Sequence, residues 1–271
     1  MRIFIHNNSK SESLKVKNEL INFINKSELQ IVKTNPELII VIGGDGTMLS
    51  AIRKFRYKKI PFIGINTGTL GFLPSVLPKD IGKFIDIIKN KKYSKVHYPL
   101  LELTSETVNG EKISHYAFNE ILIKHLQPKL MEAKISFNNK PFNYFTGDGF
   151  IISTAIGATG YAIWAGGVAT HSSLELYQIT PIHPNDNSVN RPLKTSMVVP
   201  IDTKLSIDVI KAKKRKVIVA CDGYNVTDDY ISKISIRKSK DHMITILKTD
   251  DYDYFDLYKN KIIDKKIINS L

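Results

Sequence analysis

A chain of 271 residues, 42% apolar and 24% charged, is long enough for one large or two medium domains with real cores. It has no apolar run near the roughly eighteen residues a membrane helix needs, and MRIFIHNNSK has too short an apolar segment for a signal peptide. A single cysteine, Cys221, excludes an internal disulfide and fits a reducing cytosol, so the expectation is a soluble cytoplasmic protein; the formal charge of +13 suits phosphorylated ligands and nucleic acid alike.

Strand and helix periods alternate through the first hundred residues. RIFIH reads as a strand, and ESLKVKNELINFINK puts Val16, Leu20, Phe23 and Ile24 on one helical face. ELIIVIGG is a continuous apolar run closed by glycine, the pattern of a strand buried on both faces. TMLSAIRKF returns to helical spacing, IPFIGINTG is a second buried strand, and KDIGKFIDIIKN spaces Ile81, Phe84, Ile85 and Ile88 as a helix. This alternation predicts a parallel, Rossmann-like α/β layer with its ligand edge on the loops after the strands.

Beyond HYPLL the pattern becomes β-rich. Asn109-Gly110 marks a hairpin, and AKISFNNKPF carries an Asn-Asn-Lys-Pro turn. The basic cluster KAKKRK, Lys211 to Lys216, lies between LSIDVI and KVIVAC and reads as a solvated hairpin connection. YISKISIRKS and HMITILKT follow as further strand-like runs, GYAIWAGGVA can begin as a short helix, and FDLYKNKIIDKKIINSL looks helical. The expected division is an α/β domain over 1–98, joined by a C-terminal helix from about 251–271 that packs back on it, and a mostly β domain over 99–250.

Three glycine-rich segments and one polar pair stand out as sites for chemistry. In IIVIGGDGTMLSAI a strand runs through Gly43, Gly44, Asp45, Gly46 and Thr47 into a helix, leaving backbone N–H groups that suit a phosphate. This is neither a Walker loop nor a dinucleotide fingerprint. Asp45 repels an anion, which leaves it as a turn residue, a ligand anchor, or the group facing a hydroxyl, a magnesium ion or a water. NTGTLGFL, Asn66 to Leu73, ends the next strand and should lie beside the first loop, while GDGFIISTAIGATGYAIWAGG has small residues that let a ring or ribose approach the backbone. Asn119 and Glu120 in FNEILI are costly inside an apolar run unless paired, either in a hairpin salt bridge or with a ligand.

GGDGT, FNE, GDGFIIST and GATGYAIWAGG, in this order and spacing, resemble the NAD kinase family from the opening strand to Arg191–Pro200. GGDGT alone is shared with lipid kinases and, in similar form, with phosphofructokinases; the four together are specific. The resemblance implies phosphorylation of the 2′-hydroxyl of the adenosine ribose of NAD, giving NADP, with ATP or inorganic polyphosphate as donor. It puts a general base at Asp45 and NAD contacts at Asp45, Gly46, Phe72, Asn119, Glu120, Asp148, Thr159, Gly160 and Tyr161; Thr146, Trp164 and His183 join these as residues lining the NAD site. Asp148 is a position that can be supplied across a subunit interface. Magnesium or another divalent ion is expected to arrive on the phosphate donor, with no metal site in the protein, and a homotetramer or homodimer is implied.

Departures from the family pattern concentrate on the adenine side. Where Ser-Thr-Pro-Thr/Ser-Gly-Ser/Thr-Thr-Ala-Tyr is usual, the chain reads Ser153-Thr154-Ala155-Ile156-Gly157-Ala158-Thr159-Gly160-Tyr161. Ile156 and Ala158 replace hydroxyl residues and Gly160 replaces alanine. Trp164 stands where a small polar residue is common, Thr146 where a basic one is, and His183 where a small or aromatic one lines the adenine site. The weighed alternatives are a lipid kinase of the same superfamily, a dinucleotide-binding regulator without catalysis, and a basic nucleic-acid-binding module. Neither a nucleic-acid motif nor a membrane segment supports a partner of those kinds.

Overall fold

A computed structural model describes residues 1–56, 58–68, 71–186, 191–250 and 252–264. Thr69 and Leu70 of the second glycine loop and residues 265–271 of the expected tail helix lie outside the described residues. The chain forms two compact units, Met1–Tyr98 with His242–Leu271, and Pro99–Asp241, so the return to the first unit falls at His242.

The first unit is built on a parallel sheet. Gln30–Ile31, Arg2–Asn7, Leu38–Ile42 and Phe62–Ile65 pair in that order, and Ile246 of the strand Ile231–Lys248 pairs parallel beside Phe62. Every residue of Leu38–Ile42 and Phe62–Ile65 is buried, as their unbroken apolar runs predict. The helices Ser11–Ile24, Asp45–Phe55 and Ile81–Lys89 occupy the expected segments. Helix Ser11–Ile24 buries Ser13, Val16, Leu20 and Ile24, and Phe23, expected on that face, is 36% exposed. The buried stripe advances in steps of three and four from Ser13, which leaves Phe23 at its margin.

The C-terminal segment of this unit forms the helix Tyr254–Tyr258 and a π-helical turn, Lys259–Ile263. Asp253 caps the helix by accepting the N–H of Asp256 at 2.9 Å. Tyr254 packs on Phe72 with ring centroids 5.7 Å apart, so the helix does close back on this unit.

The second unit is a β-sandwich. One sheet pairs Lys112–Ala117, Ser94–Thr107, Ile231–Lys248, Leu205–Val209, Met131–Phe137 and Lys140–Gly147; the other pairs Met197–Pro200, Leu176–Ile182, Gly149–Thr154, Glu120–His125, Val217–Cys221 and Tyr224–Thr227. Both sheets bury side chains in one core, among them Leu101, Ile135, Ile207 and Ile234 from the first and Ile123, Phe150, Ile179 and Val219 from the second. The Asn109-Gly110 turn forms with Gly110 at φ +85°, and Asn138 and Asn139 take φ +48° and +65° in the second hairpin.

Two readings of this half are corrected. The cluster Lys211 to Lys216 is solvated but is no hairpin, because Leu205–Val209 belongs to the first sheet and Val217–Cys221 to the second. It is a crossover, pinned by Arg215, which donates to the Leu130 carbonyl at 2.9 Å and pairs with Glu132 at 2.8 Å. YISKISIRKS and HMITILKT are one continuous strand, Ile231–Lys248, since the polar residues between them remain extended.

Gly64 sets how closely the second glycine loop lies on its strand. A Cβ there would stand 2.6 Å from Pro74 Cα and 2.7 Å from Met48 Cε, so backbone as well as side chain would have to move. Gly64→Ala is expected to destabilise the protein by about 1–3 kcal/mol in urea unfolding; an unchanged midpoint would show that the loop yields freely.

Candidate functional site

In the first unit, adjacent parallel strands deliver two glycine loops to one place. Leu38–Ile42 leads into Gly43, Gly44, Asp45, Gly46 and Thr47, and Phe62–Ile65 leads toward Gly71, Phe72 and Leu73. Gly43 has φ +157° and its missing side chain makes room for Thr47, whose Oγ1 accepts from Asn8 Nδ2 at 3.0 Å. A Cβ on Gly44 or Gly46 would meet nothing within 4 Å, so the loop's backbone is open to a ligand at those two residues.

Asp45 starts the helix Asp45–Phe55, where a carboxylate is favoured by the helix dipole. Its Oδ2 accepts the Phe72 N–H at 3.2 Å, its Oδ1 accepts the Leu73 N–H at 3.0 Å, and Lys261 Nζ lies 2.6 Å from Oδ2. Gly71 makes the approach possible, since a Cβ on it would sit 2.7 Å from Oδ1. Both Asp45 and Lys261 remain about a quarter exposed. The Lys261 cation also lies 4.7 Å from the Phe72 ring centroid, and Phe72 itself is 3% exposed, buried against Tyr254.

The second unit presents Asn119 and Glu120 at the head of the strand Glu120–His125. Neither the Asn119 Oδ1 nor the Glu120 Oε2, both buried, has a hydrogen-bond partner among the described residues. Among the described residues the hairpin salt bridge weighed for Glu120 does not form. Instead Asp222 grips the backbone: its carboxylate accepts the N–H groups of Phe118 at 2.9 Å, Asn119 at 2.7 Å and Glu120 at 3.2 Å. Asp222 and Gly223 have φ +49° and +78°, the two-residue turn joining Val217–Cys221 to Tyr224–Thr227. Thr154 holds the other side, donating to the Phe118 carbonyl at 2.7 Å while its N–H bonds the Asn119 carbonyl at 2.9 Å.

The turn containing Thr159, Gly160 and Tyr161 is a 3-10 segment, Ile156–Thr159, followed by the four-residue helix Tyr161–Trp164. Gly157 packs directly on the Asn119 backbone. A Cβ on Gly160 would lie 3.3 Å from Glu120 Oε2 and 3.9 Å from Asn119 Nδ2, so this glycine borders the two unsatisfied side chains and leaves them space. Ile156 and Ala158 are 6% and 0% exposed and point into the protein. Trp164 and Tyr161, by contrast, are 70% and 49% exposed.

A third group joins two residues picked separately from the sequence. His183 Nδ1 lies 2.9 Å from Asp148 Oδ2, with His183 at φ +42°, and Thr146 Oγ1 donates to the Asn185 carbonyl at 3.2 Å. The pair is largely exposed. Sequence reasoning missed Asp222 and Lys261. An Asp-Gly after an apolar strand was a usable signal for the first; a tail lysine among many gave none for the second. Among the described residues no group of three or more His, Cys, Asp or Glu forms a metal site.

Both halves of the chain match family models: residues 5–93 the ATP-NAD kinase N-terminal domain and residues 118–248 the ATP-NAD kinase C-terminal domain. The chain is 34% identical to the NAD kinase of Lactobacillus johnsonii, covering 97% of this chain and 96% of that protein. It is 34% identical to the NAD kinase of Staphylococcus aureus over 74% of this chain and 76% of that one. Its fold resembles that of yeast NADH kinase complexed with NADH, at a TM-score of 0.85 with 19% identity over 100% of this chain and 89% of that one. An NAD kinase from Archaeoglobus fulgidus in complex with ATP gives 0.74, with 24% identity over 96% and 97%.

Burial, and then the charge of Asp222, pushes the Glu120 carboxyl up to about 8 from an ordinary 4.5. Between those values the folded chain holds a proton that the unfolded chain has released, so this group's contribution to stability falls as pH rises and levels off above about 8. Glu120→Gln removes that titration. Its melting temperature relative to the unsubstituted protein is expected to climb from pH 5 to pH 8, and a constant difference across that range would contradict the assignment.

Proposed function

The chain belongs to the ATP-NAD kinase family, and on that premise we propose that it transfers the terminal phosphoryl group of ATP to the 2′-hydroxyl of the adenosine ribose of NAD, with Asp45 as the proton acceptor. The observation that carries the role of Asp45 is its fixation by Phe72, Leu73 and Lys261 beside glycines that face open space. A carboxylate among phosphate-loop glycines would repel the donor. Lys261 offsets that repulsion by placing a cation 2.6 Å from it.

In the step itself the ribose 2′-oxygen forms a bond to the terminal phosphorus and the bond from that phosphorus to the ADP oxygen breaks. The hydroxyl proton passes to Asp45 and then to solvent. Phosphoryl transfer runs through a loose transition state in which positioning and charge dominate, so a modest base held in one orientation is enough. The open backbone of Gly44 and Gly46, with Gly43 and Thr47 shaping the turn, suits the phosphates.

Asn119 and Glu120 are the proposed recognition pair for the dinucleotide. Their unsatisfied oxygens are costly without a ligand and are satisfied by hydroxyl or amine donors. Thr159, Gly160 and Tyr161, with the exposed Trp164, offer backbone and ring surface for the adenosine, and Thr146, Asp148 and His183 supply a further polar group. Phe72 serves in this reading from beneath, since its ring is buried. Asp45 is already engaged by three donors, and among the described residues no group of acidic side chains surrounds it. The divalent ion enters with the nucleotide substrate.

Use of inorganic polyphosphate as an alternative donor, a homotetrameric or homodimeric assembly and a cytoplasmic location are parts of the same proposal. Among the described residues no helix is long and apolar enough to cross a membrane. The lipid-kinase and nucleic-acid readings lose ground to the family match across both halves, and Arg215 of the basic cluster is tied up by Glu132 and a carbonyl.

The test is NADP formation from NAD, ATP and magnesium, followed with an NADP-dependent dehydrogenase. The unsubstituted protein is expected to be active, and Asp45→Asn to keep its NAD affinity while turnover falls by about 10²–10⁴. Unchanged turnover in that variant would remove the proton-acceptor role, and no NADP with any donor would remove the kinase reading.

A further inference from the structure

Lys248 ends the strand Ile231–Lys248 and is 2% exposed. A lysine this deeply buried is costly unless its ammonium is fully engaged. Its Nζ donates to the Phe72 carbonyl at 2.8 Å and to the Leu73 carbonyl at 2.8 Å, and lies 3.7 Å from the centroid of the Tyr252 ring. The Tyr252 hydroxyl donates to the same Phe72 carbonyl at 3.1 Å.

The Phe72 carbonyl and the Leu73 N–H belong to a single peptide group and point to opposite sides of it. Lys248 takes the carbonyl side and Asp45 takes the N–H side, at 3.0 Å. One peptide plane is therefore clamped between a buried cation and the carboxylate, and each contact polarises the other. The Leu73 carbonyl adds a second anchor one residue on, which fixes the rotation of the loop as well as its position. Nothing in this arrangement needs Lys248 to reach a ligand. Its influence on chemistry runs through the loop.

We propose that Lys248 is a positioning residue for Asp45: its ammonium orients the Phe72–Leu73 peptide, whose single N–H, that of Leu73, helps hold the carboxylate that receives the hydroxyl proton. The inference rests on the reading of Asp45 as proton acceptor and adds the group that sets its geometry. Burial holds the Lys248 ammonium down to about 7, against the opposing pull of Asp45, so the clamp is kept at a cost that packing alone would not require. An apolar side chain of the same length would fill the space without it.

The experiment compares Lys248→Met, which keeps the stem and removes the ammonium, with Lys248→Arg, which restores a cation and donors. Lys248→Met is expected to melt near the unsubstituted protein and hold KM for NAD within about twofold, while kcat falls about 10- to 100-fold, as a misplaced catalytic group does. Lys248→Arg is expected to recover most of that loss. Unchanged kcat in Lys248→Met overturns the proposal, as does a loss of kcat that follows a fall in melting temperature and is not relieved by arginine. Should Lys248→Met not fold, Tyr252→Phe removes the second donor to the Phe72 carbonyl; a lowered kcat with unchanged KM supports the clamp and an unchanged kcat overturns it. Asp45→Asn runs beside these variants. If it turns over slowly while Lys248→Met does not, the clamp alone is wrong; if Asp45→Asn is fully active, the proton-acceptor reading has failed first.

Discussion

A carboxylate set among the glycines proposed to bind phosphates has to be held and compensated, and much of the first unit answers that requirement. Asp45 leaves the end of one buried parallel strand, and the peptides that hold it leave the end of the next. The parallel order of the sheet is thus what makes the contact available. Gly64 and Gly71 then let the second loop lie close enough, and the tail returns to supply Lys261.

The second unit solves a related problem in a different way. Asn119 and Glu120 are polar side chains with unsatisfied buried oxygens, and the backbone that presents them is fixed by another carboxylate, Asp222. In the recognition role proposed for them, the cost of leaving those oxygens unpaired is relieved when a ligand donates to them. The backbone pays nothing of it, because every N–H from Phe118 to Glu120 is taken by Asp222.

Much of this was legible in the residues. Runs such as ELIIVIGG and IPFIGINTG, short, β-branched and closed by glycine, read as strands buried on both faces, and they are. Asn109-Gly110 and Asn138-Asn139 named their turns through their tolerance of positive φ. What stayed hidden depends on long-range contact. Lys261 meets Asp45 across 216 residues and Lys248 meets Phe72 across 176, and neither lysine differs locally from the many others in a chain of this charge. The crossover at Lys211 to Lys216 looks like a hairpin for the same reason, since which sheet each flanking strand joins is decided by partners far away in sequence. Phe23 and Trp164 show the limit from the other side: apolar residues at expected positions that the fold leaves exposed.

The central claim is that Asp45, oriented by the Phe72 and Leu73 amides, faces the hydroxyl that is phosphorylated. A crystal structure of the protein with NAD measures this directly. The account predicts the ribose 2′-oxygen within about 2.6–3.2 Å of an Asp45 carboxylate oxygen while both amides still hold that side chain. A 2′-oxygen directed at another side chain, with Asp45 out of hydrogen-bond reach, would contradict it.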